Sequence, residues 1–133
     1  MLDITGDDVR LFLHVLAATI WVGGQLTLAG LVPVLRPFGP DVTRAAARRF
    51  NVVAWSAFAV LVATGVWNLV AVDVGDASDE YLATLLAKLL AVGVSGAGAA
   101  VHVVGRSKAA LAIGGAMSAL GSIAALLLGI VLH

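Results

Sequence analysis

LFLHVLAATIWVGGQLTLAGLVPVL, Leu11 to Leu35, runs for 25 residues without one charged side chain. At the 1.5 Å rise of an α-helix it is longer than the about 20 residues that cross the hydrocarbon core of a bilayer. Three further apolar runs follow: Val52 to Val72, Tyr81 to Val104 and Ala109 to Leu132. Over 133 residues the composition is 61% hydrophobic and 12% charged, and the mean hydropathy is +1.05. No soluble domain of this length has enough interior to hide that much apolar surface. The expected fold is therefore all-α: an integral-membrane, up-down four-helix bundle. It forms a single domain over 1–133, with helices at about 8–35, 43–72, 79–104 and 108–132.

The first run is too long for the apolar part of a signal peptide, follows three aspartates and lacks a basic leader, so no cleavage is expected. Carboxylates at Asp7 or Asp8 suit the start of the first helix. The prolines of LVPVLRPFGP end it between Pro33 and Pro40. TRAAARRF, from Thr43, reads as a short amphipathic turn at the headgroups leading into the second helix. Ser78 or Asp79 is the candidate cap of the third, and GRSK leaves room only for a tight hairpin into the fourth.

Charge sets orientation. Arg36, Arg44, Arg48 and Arg49 lie between the first and second helices, and Arg106 and Lys108 between the third and fourth. Asp3, Asp7 and Asp8 precede the first helix, and Asp73, Asp76, Asp79 and Glu80 separate the second and third. Basic loops stay in the cytoplasm, so both termini are expected outside, in the cytoplasmic membrane of a prokaryote, with the lipid bilayer as the principal partner. A formal net charge of zero argues against nucleic acid as a partner, and the absence of cysteine excludes disulfides and thiolate metal sites.

Ionisable groups among lipid tails are costly and mark candidate sites. Arg10, His14, Ala18, Trp21 and Gln25 recur at steps of three and four and share one face of the first helix. Thr84, Lys88, Ser95 and His102 share a face of the third. His14 lies roughly 9 Å below the outer end and Lys88 roughly 12 Å, whereas His102 is about 21 Å deeper than Lys88. His14 and Lys88 are thus expected at one level, with Trp67 and Asn68 arriving nearby on the second helix. A neutral imidazole is a haem iron ligand, Ala17 and Ala18 leave space for a flat macrocycle, and Arg10 suits a propionate. The cofactor expected is haem b, with His14 as axial ligand, Lys88 as candidate second ligand, and Arg10, Ala18, Trp21, Trp67 and Asn68 around it. The competing reading is that His14 hydrogen-bonds a neighbouring helix and the tryptophans serve packing. Lys88 has the further option of snorkelling to the outer surface. His102 reads as an interfacial residue beside Arg106.

In the fourth helix, Gly114, Ser118, Gly121, Ser122, Ala125 and Gly129 recur on one face. That face suits packing within the bundle or a homodimer seam.

His14, Trp21 and the pair Gly23-Gly24 form H-x6-W-x-G-G. Arg48-Arg49-Phe50, Thr64-Gly65 and Leu86-Ala87-Lys88-Leu89-Leu90 follow in order. This series, from His14 to Leu90, resembles the CopD-like copper-resistance membrane domain and the HemJ-type protoporphyrinogen oxidases. The HemJ-type resemblance implies haem b, an essential first-helix histidine and an essential third-helix lysine, roles that fall on His14 and Lys88. Ahead of the last helix the chain has GRSKAALAIGG where HemJ-type proteins carry Asn-Glu-x-Pro. The function expected is redox: electron transfer, or haem-dependent oxidation of a small substrate such as a porphyrinogen. The alternatives are a CopD-like copper or small-solute transport subunit and a cofactor-free scaffold. Copper fits less well, because copper(I) favours sulfur ligands and the chain offers only Met1 and Met117.

Overall fold

The computed structural model describes residues 3–72 and 74–132; Asp73 of the acidic linker, the terminal His133 and Met1 lie outside that range. Among the described residues the chain is all-α, with four long helices and no strand: α1 (Gly6–Leu35), α2 (Pro40–Ala71), α3 (Asp79–Val104) and α4 (Lys108–Val131). All four are long and apolar enough to cross a membrane. Their outward faces carry large apolar side chains in the open, among them Val70 at 80% and Leu120 at 67% exposure. Surface of that kind belongs against lipid, and the chain is a multi-pass membrane protein.

Two boundaries differ from expectation. α1 begins at Gly6 because Thr5, not an aspartate, is its cap: Thr5 Oγ1 accepts from the Asp8 backbone N–H, and the Asp8 carboxylate accepts from Thr5 N at 2.9 Å. The carboxylate thus serves as the return half of a capping box. α2 begins at Pro40, three residues before the expected start at Thr43, and TRAAARRF lies within it. Pro40 carries a preset helical φ at a position where no amide bond is lost. The chain reaches it through a 3-10 turn, Arg36–Phe38, and Gly39 at φ 103°, a value that L side chains rarely adopt. Ser78 caps α3, its Oγ accepting from Tyr81 N, and Ser107 caps α4 through Ala110 N.

Close packing divides the chain into two compact units, the α1–α2 hairpin and the α3–α4 hairpin. In the first, Ala17, Trp21, Ala54, Ala57 and Thr64 are buried. Trp21 stands edge-on to Trp55 with centroids 5.6 Å apart and tilted against Phe58 at 4.5 Å, a geometry that suits the ring quadrupoles. One turn on, Gly24 receives the ring of Phe50: a Cβ there would fall 2.6 Å from Phe50 Cε2. The second glycine of WVGG and the phenylalanine of RRF are therefore one contact.

The second hairpin is closer still. A Cβ on Gly98 would lie 2.6 Å from Ser118 N, one on Gly114 2.6 Å from His102 N, and one on Gly121 2.8 Å from Ser95 N. The two backbones touch, and Ser95 Oγ donates to the Ser118 carbonyl at 2.9 Å within that seam. Small residues permit this approach, which dispersion and interhelical hydrogen bonds reward in a membrane. The Gly114, Ser118 and Gly121 face of α4 thus has α3 as its partner within the chain. Hydroxyls elsewhere in the helices bond back to their own backbone, as Thr19 does to Val15 O and Ser56 to Val52 O. Such back-bonds let polar side chains stand among apolar ones.

Candidate functional site

The first hairpin assembles its polar centre from one residue of each helix. α1 presents His14 towards α2, and its Nδ1 lies 2.9 Å from Thr64 Oγ1. Thr64 is buried, and its hydroxyl donates to Val60 O at 2.7 Å, with Leu61 O at 3.2 Å. A hydroxyl has one proton, and here it is spent on the backbone of its own helix. With that proton on its own helix, Thr64 Oγ1 is placed to accept from an N–H on His14 Nδ1. Next in sequence, Gly65 lies beside the ring edge, where a Cβ would make ordinary contact with His14 Cε1 at 3.6 Å.

One helical turn before His14 is Arg10, whose side chain is only 14% exposed. Nη2 pairs with Asp7 Oδ1 at 3.3 Å, while Nε and Nη1 are buried with no hydrogen-bond partner among the described residues. Buried guanidinium donors without acceptors carry the full desolvation cost, so the group is complementary to an anion. The antiparallel register that brings Thr64 to His14 places Asn68, one turn further along α2, level with Arg10. Asn68 is half-buried and its neighbour Trp67 is 49% exposed. Ala18 is half-buried one turn below His14. Trp21 belongs to the aromatic cluster with Trp55 and Phe58.

Lys88 is part of the second hairpin. It is half-buried on α3, and its amine crosses to α4 where Gly129 leaves room: a Cβ on Gly129 would lie 3.2 Å from Lys88 Nζ. Gly129 belongs to the last turn of α4, the end of a helix that favours a cation. His102, by contrast, closes the hairpin. Its Nδ1 lies 2.7 Å from the Leu111 carbonyl and donates to it, and Gly115 faces the ring, with a Cβ there only 3.1 Å from Nδ1.

Thr64 and Gly65 had no role assigned from residue chemistry, although both lie in the motif series, and Gly129 was read as part of the small-residue face of α4 and not as the neighbour of Lys88. A signal for Thr64 existed: it is a β-branched hydroxyl in an apolar run, level with His14 once α1 and α2 are set antiparallel. No group of three or more His, Asp or Glu side chains able to hold a metal ion occurs among the described residues. His14 with Thr64 behind it is instead a single-imidazole arrangement, which a porphyrin, supplying its own four nitrogens, can use. One imidazole on α1 and the Arg10 Nε and Nη1 one turn away, without a partner among the described residues, are what this hairpin offers a ligand. Comparison with known families, curated proteins and solved structures finds no match for this chain.

Proposed function

We propose that this protein binds haem b in the membrane, with His14 as an axial ligand and Arg10 as the partner of a propionate, and works as a redox protein. The observation that carries the reading is the His14–Thr64 hydrogen bond. Histidines that bind metals usually donate their other N–H to a fixed acceptor, which sets tautomer and ring orientation and raises ligand basicity. Bound there, the haem would supply one-electron chemistry. The chain contributes the ring orientation through Thr64, the charge of Arg10 and an apolar surround that raises the weight of both.

Detergent-purified protein, supplemented with haem during expression, is expected to show a Soret band that disappears in His14→Ala. A colourless wild type overturns the reading, and bound copper without porphyrin replaces it with metal transport. A second reading has the same hydrogen bond in its favour: His14 and Thr64 as a clasp between α1 and α2 in a cofactor-free scaffold. It predicts no visible absorption and a looser hairpin in His14→Ala.

A further inference from the structure

We infer that the α1–α2 hairpin carries a binding groove for one anionic phospholipid, its phosphate on Arg49 and one acyl chain along the helices. A cavity of about 420 Å³ runs along this hairpin, walled by Leu13, Leu16 and Ile20 of α1 and by Val53 and Val60 of α2, with Arg49 as the one charged residue of its lining.

The occupant follows from charge, polarity and length. No ion pair among the described residues involves Arg49; Arg44 has its carboxylate in Asp41, at 3.2 Å. Arg49 therefore presents a guanidinium to whatever occupies that end, and guanidinium binds phosphate through paired hydrogen bonds. The remaining lining is apolar except for Ser56, whose hydroxyl already donates to Val52 O at 2.8 Å, so the walls ask for a hydrocarbon. From Arg49 to Val60 the α2 wall rises about 16 Å, close to half of a hydrocarbon core of about 30 Å. An acyl chain reaching from headgroup to midplane has that length.

The full chain is reconstituted in phosphatidylcholine vesicles doped with spin-labelled phosphatidylglycerol or spin-labelled phosphatidylcholine, and the motionally restricted fraction of each label is measured. Wild type is expected to select phosphatidylglycerol by roughly fivefold, the preference one headgroup-level arginine supplies. Arg49→Gln is expected to bring that ratio close to one with the phosphatidylcholine signal unchanged, the sign of a folded chain. Arg48→Gln, outside the lining, keeps most of it. Ser56→Leu, which fills the groove, reduces restriction of both labels. Equal association of the two lipids with wild type, or selectivity that survives Arg49→Gln, overturns the proposal. So does efficient disulfide cross-linking of a Ser56→Cys chain, otherwise free of cysteine, since a second copy would then occupy the groove.

Discussion

Thr64 is where sequence and structure meet at the residue scale. It faces a histidine fifty positions away, 2.9 Å from the imidazole Nδ1, while its own proton goes to the backbone of α2. Thr64→Val keeps shape and removes the acceptor. If His14 is an iron ligand, haem affinity in titrations of the purified protein is expected to fall by about 10- to 100-fold, the usual cost of losing such a supporting contact. Thr64→Ser retains the hydroxyl and is expected to restore most of it. On the same premise, Arg10→Gln is expected to weaken haem retention while leaving the ligand-sensitive absorption maxima in place, because a propionate partner would answer the charge of the cofactor and not its iron. His14 and Arg10 were legible as candidates from residue type alone, since an ionisable side chain in an apolar helix is conspicuous. Thr64 and Gly65 were not legible as a site: a threonine and a glycine in a membrane helix are ordinary, and only the pairing of α1 with α2 singles them out.

The element scale is governed by how closely helices approach. In the α3–α4 hairpin the glycines at 98, 114 and 121 have backbone atoms of the facing helix where a Cβ would go, whereas Gly93 has nothing within 4 Å. Gly98→Leu and Gly114→Leu are therefore expected to destabilise the hairpin by about 1–3 kcal/mol or more, as overpacking does. Gly93→Leu, on the same helix, is expected to be close to neutral. Hydrogen exchange of α3 and α4 amides in detergent measures the difference. His102→Ala is expected to cost about 1 kcal/mol, the net worth of its bond to Leu111 O, and to fray the α3–α4 turn first. Small-residue periodicity made a close-packing face on α4 plain. Periodicity names a face, however, and not what covers it; the partner is α3, which the distances alone establish.

For the whole molecule, the membrane topology rests on charge. Single cysteines in the natural cysteine-free chain read it directly. A cysteine at Ala77, in the acidic linker, is expected to react with an impermeant maleimide from outside intact cells, and one at Phe38, beside the basic turn, only after permeabilisation. The reverse pattern would invert the orientation and the depths assigned to His14 and Lys88. Number, length and type of helices were determined by the sequence alone. Runs of more than about 20 apolar residues, cut by Pro, Gly and charge clusters, leave a chain in lipid no way to satisfy its backbone but helices. Helix starts were less legible, because Thr5 and Pro40 compete with several plausible caps nearby. What tertiary structure decided was partnership: His14 with Thr64, Gly24 with Phe50, Gly129 with Lys88, and α4 with α3. Hydropathy reports the affinity of each residue for lipid, which nearly every position here shares. Contacts between helices depend on register and shape, and those are properties of two segments at once.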